Sequence, residues 1–207
     1  MAAAGTLRIG LMGGTFDPIH VAHLVAAEAA LEQHRLDRVV FIPTGQPPHK
    51  PTDRLTPAEH RYQMVALATA SNPRFEVSRV ELERPGLSYT VDTLDRLRLL
   101  YPPGTDFFFI TGTDAILSVE TWREPERLFS LCRFIAAGRP GFSRRETESE
   151  LRRLEEKFGA TILEVECPAL AVSSSDLRRR VAEGRSIRYL VPELVEAYIQ
   201  KHGLYRP

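Results

Sequence analysis

Apolar residues fall in short runs separated by stretches of a different period, and the alternation sets out the elements. Leu7–Met12 reads as an apolar strand closed by Gly13-Gly14. After Asp17-Pro18, apolar Val21, Leu24, Val25 and Leu31 recur at helical spacing, which predicts a helix to about His34. Arg38–Pro43, with Val-Val-Phe-Ile inside it, predicts a buried second strand, and the loop TGQPPHKPTDRL behind it has three prolines and no apolar period. Thr56 as N-cap, Pro57 at the first helical position and Glu59 completing a capping box predict the next helix. It stops near Asn72-Pro73, because the residue before a proline avoids helical angles.

Phe75–Val80 is the third predicted strand, and SYTVDTLDRLRLLY is a helix ended by Pro102-Pro103-Gly104. Asp106–Thr111 is the fourth strand, followed by Gly112-Thr113-Asp114 and a short helix. Cys132–Ala137 and Thr161–Val165 are the fifth and sixth strands, with a charged amphipathic helix over Glu146–Phe158 between them. Two helices close the chain, one from Ser173 to Gly184 and one from about Pro192 to His202, with Gly203 after it. Alternation of this kind predicts an α/β fold: a Rossmann-like, doubly wound, mainly parallel sheet with helices on both faces. No repeat or low-complexity linker divides residues 1–207, so one domain is expected. Ligands of such sheets sit beyond the carboxyl ends of the strands. The unusual residues gather there, in Gly13–His23, Thr44–Lys50, Gly112–Trp122 and Val172–Arg178.

Composition narrows the partners. Hydrophobic residues make up 43% and charged residues 26%, which suits a globular chain rather than a disordered one. Lys plus Arg and Asp plus Glu number 27 each, so a generalised polyanion-binding surface, and with it a nucleic-acid partner, is not expected. Cys132 and Cys167 are too few for a disulfide framework or a zinc cluster. No apolar run approaches the roughly 20 residues of a spanning helix, and Met-Ala-Ala-Ala-Gly lacks a basic leader region. The expectation is a cytoplasmic protein with no membrane partner.

The stretch GLMGGTFDPIHVAHL carries the first chemistry. A strand, a glycine turn and a helix N-terminus form an anion site from backbone N–H groups and the helix dipole. Gly13 and Gly14 let backbone approach a phosphate with no Cβ between them. Neither G-x-G-x-x-G nor G-x-x-x-x-G-K-[ST] is present, so a dinucleotide fingerprint and a P-loop are both excluded. His20 and His23 lie one turn apart. They have three readings: a packed and a solvated ring, a metal site, or two phosphate donors. No further ligands stand at metal spacing, and the position behind a glycine turn favours phosphate.

GGTFDPIHVAH resembles the phosphate-binding signature of the adenylyl- and cytidylyltransferase superfamily, roughly G-[ST]-F-D-x-x-H-x-G-H. VSSSDLR resembles its second signature, I-S-S-T-x-[IV]-R, in the expected order, and the similarity covers nearly the whole chain. Within the superfamily, PTGQPPHK, SYTVDTL and GTDAILSVETW are similar to the bacterial nicotinate-mononucleotide adenylyltransferase family. Two positions depart from the pattern: Ala22 stands where Gly is usual, and Ser175 where Thr is common.

The resemblance implies that the phosphate of nicotinate mononucleotide attacks the α-phosphorus of ATP, giving nicotinate adenine dinucleotide and pyrophosphate. It implies His20, His23, Lys50 and Arg178 as the catalytic set, with His23 nearest the α-phosphate. It implies Gly13, Gly14, Thr15 and Phe16 around the ATP phosphates, Gly112 and Asp114 near adenosine, and Ser174 and Ser175 as both helix cap and phosphate donors. Lys50, Thr90, Val91, Trp122 and Arg123 are implied for the acceptor. Mg²⁺ is expected with ATP, held by phosphates and water rather than by a protein metal site. Assembly into a homo-oligomer stays open. Alternative readings keep the chemistry with nicotinamide mononucleotide or phosphopantetheine as acceptor, or make the chain a nucleotide sensor without turnover.

Overall fold

A computed structural model describes residues 6–48, 55–138, 144–168 and 170–206, the side chains of 144–146 excepted. Six strands form one sheet: β1 (Arg8–Gly14), β2 (Arg38–Pro43), β3 (Phe75–Val77), β4 (Asp106–Gly112), β5 (Arg133–Ala137) and β6 (Ile162–Val165). Their order is β3-β2-β1-β4-β5-β6, and each neighbouring pair is parallel. Strand order therefore reverses between β1 and β4. The expected doubly wound parallel sheet is the architecture found.

The helices are α1 (Val21–Gln33), α2 (Ala58–Thr69), α3 (Thr90–Leu100), α4 (Thr113–Leu117), α5 (Pro125–Leu131), α6 (Arg144–Phe158), α7 (Ser174–Ala182) and α8 (Glu193–Lys201). Strand residues alternate between two cores, which is why the strands are apolar throughout. Phe108 and Ile110 of β4 join α1, α2, α7 and α8 on one face, while Phe107 and Phe109 join α3, α5 and α6 on the other. Among the described residues no helix is long and apolar enough to cross a membrane.

Four local expectations are corrected. Gly13 and Gly14 belong to β1, paired with Ile42 and Pro43, so the turn begins at Thr15. The N-cap of α2 is Pro57, at φ −47° and ψ 140°, not Thr56. Thr56 instead gives its N–H to Asp17, and Glu59 turns away to Arg79 at 2.9 Å, so no capping box forms. Strand β3 ends at Val77, because the chain then turns through Ser78, whose hydroxyl accepts the Val80 N–H. The single short helix expected after Gly112 is α4, a 3₁₀ turn over Val119–Thr121 and α5; Glu124 at φ 52° breaks the run before Pro125.

Candidate nucleotide-binding site

The sheet opens where its order reverses. Pairing between β1 and β4 runs from Arg8–Asp106 to Leu11–Phe109, whereas β1 stays paired with β2 as far as Gly14–Pro43. Two cavities occupy the opening, and both touch Gly13. The smaller, about 140 Å³, is walled by His20, His23, Ala22, Gly112 and Cys167. The larger, about 370 Å³, is walled by Gly14, Thr15, Thr90, Trp122 and Arg123. Gly13 is also tightly packed, since a Cβ there would lie 3.0 Å from the Phe109 ring, which would have to give way.

His20 is the N-cap of α1, 2% exposed, and its ring stacks on His23 with centroids 3.7 Å apart. The two form a capping box built from histidines, in which the His20 N–H donates to His23 Nδ1 at 3.2 Å. A ring nitrogen that accepts carries no proton, so the His23 proton sits on Nε2 as a donor. Phe16, at φ 50° and buried, holds the same ring edge-on at 5.1 Å. The expected anion site of helix backbone N–H groups is largely spent internally. Val21 donates to the Leu190 carbonyl, His23 to that of His20, and His20 to the His23 ring. The imidazoles and the open end of β1 are what remain to meet a ligand.

Helix α7 is stitched to the turn that follows β1. Arg178 Nη1 donates to the Asp17 carbonyl at 2.7 Å, and Ser174 Oγ to that of Pro18 at 2.9 Å. The cap of α7 is Ser173, whose side chain accepts the Asp176 N–H, rather than Ser174 or Ser175. A cap accepts from the N–H two or three residues on, and only Ser173 stands at that offset with an extended backbone. Ser175 is exposed beside Arg178 Nη2 at 3.4 Å.

The larger cavity is framed by α3 and by Trp122, which meets Phe109 edge-on at 5.9 Å. Thr90 starts α3 and lines the cavity, whereas the Val91 side chain is 1% exposed in the core. Arg123 lies over the Tyr89 ring at 4.8 Å and pairs with Asp92 at 3.6 Å. Asp114 is exposed on α4 and lines neither cavity. Lys50 lies outside the described residues.

A family model of cytidylyltransferase-like proteins matches residues 11–180. A probable nicotinate-nucleotide adenylyltransferase of Thermoanaerobacter sp. is 49% identical over 200 residues, covering 97% of this chain and 95% of that protein. Its counterpart in Moorella thermoacetica is 53% identical over 200 residues, covering 97% and 92%. The chain belongs to the nicotinate-nucleotide adenylyltransferase family. Among solved structures, the Plasmodium falciparum nicotinic acid mononucleotide adenylyltransferase complexed with NaAD matches with a TM-score of 0.78. It is 24% identical and covers 96% of this chain and 97% of that one, a likeness of fold.

In this member of the family, sequence reasoning missed Tyr205, Glu81 and Arg61. Asp17, 2% exposed, accepts the Tyr205 hydroxyl at 2.8 Å and the Thr56 N–H at 3.3 Å. Burial and the neighbouring Asp17 push the Tyr205 hydroxyl far above the usual phenol range, so it stays a donor. Glu81, 7% exposed, accepts the Thr93 hydroxyl at 2.7 Å, and burial raises its carboxyl pKa. Arg61 is 1% exposed. Its one sequence signal is position: Arg61 lies on the face of α2 that also carries buried Met64, Val65 and Ala68.

Proposed function

We propose that the smaller cavity holds ATP, the larger holds nicotinate mononucleotide, and their phosphates meet at the open end of β1. The observation that carries this is the sharing of Gly13 by both cavities. Membership of the family makes the chain an enzyme that transfers the adenylyl group of ATP to nicotinate mononucleotide, forming nicotinate adenine dinucleotide in NAD biosynthesis. A phosphate oxygen of the acceptor bonds to the α-phosphorus, the bond from that phosphorus to the bridging oxygen breaks, and pyrophosphate leaves. The attacking phosphate is already ionised at neutral pH, so no general base is needed. Positioning and charge stabilisation remain, and these are what the residues supply.

In this reading His23 Nε2–H donates to the α-phosphate and His20 holds the His23 ring. Arg178 and Ser174 carry α7 to the phosphates, and Lys50 contributes a positive charge to the same reaction. The whole chain acts as one nucleotidyltransferase domain, with α7 and α8 completing the ATP site. Imidazole, hydroxyl and guanidinium groups suit phosphate oxygens, and among the described residues no three His, Cys, Asp or Glu side chains gather as a metal site. Mg²⁺, which neutralises phosphate charge, would enter with ATP, held by phosphate oxygens and water. Trp122 offers a flat face to the cationic pyridine ring. The first N–H groups of α3, which have no partners inside the helix, would receive its carboxylate.

Substitution on either side of Gly13 tests the assignment. His23→Ala should lower kcat about a hundredfold or more while moving the ATP KM little, because its donor acts on charge that develops in the transition state. Trp122→Ala should instead raise the KM for nicotinate mononucleotide and leave that for ATP alone. If His23→Ala changed only the ATP KM, or Trp122→Ala changed both, the assignment of the two cavities would be wrong.

A further inference from the structure

Among the described residues Arg61 is the largest of the fully buried side chains, and its hydrogen bonds there run to backbone carbonyls. Nε donates to Thr56 at 2.9 Å, Nη1 to Thr15 at 2.8 Å and Nη2 to Gly45 at 3.1 Å. These carbonyls lie in the turn after β1 and near the two ends of the chain that links β2 to α2. Thr15 opens the turn after β1, Gly45 lies in the loop after β2, and Thr56 precedes α2. Burying a guanidinium carries a desolvation cost that an apolar side chain of the same size would avoid. What an apolar side chain lacks is a rigid planar fork of donors able to fix three acceptors at once.

The far side of Gly45 is equally constrained. A Cβ on Gly45 would run into the Glu81 carbonyl, and it would lie 3.2 Å from Ser88 Oγ. Gln46 and Ser88 exchange bonds across the same place: Ser88 N–H donates to the Gln46 carbonyl at 2.8 Å, and Gln46 N–H to Ser88 Oγ at 3.3 Å. Ser88 leads directly into Tyr89 and Thr90, and all three line the larger cavity. Gly45 and Gln46 are thus held between Arg61 on one side and the Glu81–Ser88 segment on the other.

We propose that Arg61 is a positioning residue that locks the turn after β1 to the loop after β2, and so fixes the spacing between the ATP and acceptor cavities. The role rests on the assignment of those two cavities. Arg61 touches neither substrate. It acts through the Thr15 and Gly45 carbonyls, and a displacement of about 1 Å in such a frame is enough to cost roughly a hundredfold in rate.

The test is steady-state pyrophosphate release from ATP, Mg²⁺ and nicotinate mononucleotide by the full chain, with kcat expressed per folded molecule. Arg61→Lys keeps the charge but loses the fork. It should raise both KM values about tenfold or more and lower kcat by a similar factor. Gly45→Ala, which displaces only the acceptor loop, should raise the KM for nicotinate mononucleotide several-fold and leave that for ATP within about twofold. A merely structural Arg61 predicts a lowered Tm with kcat and both KM values unchanged, and that result overturns the proposal. Should Arg61→Lys fail to fold, an unchanged acceptor KM in Gly45→Ala overturns it equally. No turnover by the wild-type chain would overturn the functional reading first, and the positioning role with it.

Discussion

His23 takes its role from its surroundings more than from its residue type. The His20 N–H on Nδ1 sets the tautomer, the stacked His20 ring sets the plane, and Phe16 closes the edge. Those contacts lie within eight residues, so the motif from Gly13 to His23 was enough to bring the two histidines together, though not to show their stacking or the Phe16 contact. Arg61, Glu81 and Tyr205 were invisible for the opposite reason. Tyr205 meets Asp17 across 188 positions and Arg61 meets Thr15 across 46, and no local pattern records such a pairing. Cys167 is a third case, a residue with no motif around it that the fold brings into the wall of the smaller cavity, the one proposed for ATP. The two cysteines should therefore differ. Burial pushes the Cys132 thiol up to about 12, which leaves it inert in the folded chain. A thiol-specific reagent should label Cys167 alone, and Mg-ATP at ten times its Kd should slow the labelling roughly tenfold. Labelling at an unchanged rate in Mg-ATP would place the nucleotide elsewhere.

Among the elements, the strands were the most legible, because a strand buried on both faces is a continuous apolar run, and here its shortness and β-branched and aromatic content set it apart from a buried helix. Starts and stops were less so. Thr56-Pro57-Ala58-Glu59 has every local mark of a capping box, yet tertiary bonds to Asp17 and Arg79 claim Thr56 and Glu59 first. The segment between Gly112 and Cys132 was under-read because three short helical pieces share it, and none is long enough to display a period. One of those pieces is tied to α6 by charge. Glu120 accepts from Arg153 at 2.6 Å and from Lys157, two residues before Trp122. Its carboxyl is lowered from 4.5 to about 2, first by Arg153 and then by Lys157. A carboxyl lowered in the folded state contributes fully above its unfolded value, and that contribution is lost as pH falls toward the folded one. The Tm difference between wild type and Glu120→Gln should therefore be measurable at pH 5 and close by pH 2. It should also shrink in high salt, since the pair is exposed. An equal gap at both pH values would show that Glu120 acts through packing instead.

At the scale of the whole molecule, the sheet parts where its order reverses. The β1–β4 ladder ends at Leu11–Phe109 while the flanking ladders continue, so the reversal of strand order becomes a physical opening with a cavity on each side of Gly13. The carboxyl-terminal segment braces the turn between β1 and α1. Leu190 satisfies the first N–H of α1, and Tyr205 holds Asp17 beneath the turn. Strand alternation alone predicted a crevice of this type, but not which strands would part, because ladder length depends on cross-strand partners that the chain order does not reveal.

The central claim is that the larger cavity receives a pyridine carboxylate on the first N–H groups of α3. It is tested most directly by pyrophosphate release from ATP and Mg²⁺, with nicotinate mononucleotide compared against nicotinamide mononucleotide. An amide would turn N–H groups toward N–H groups, a mismatch of a few kcal/mol, so kcat/KM should favour the acid by about a hundredfold or more. Equal values for the two acceptors would contradict the account.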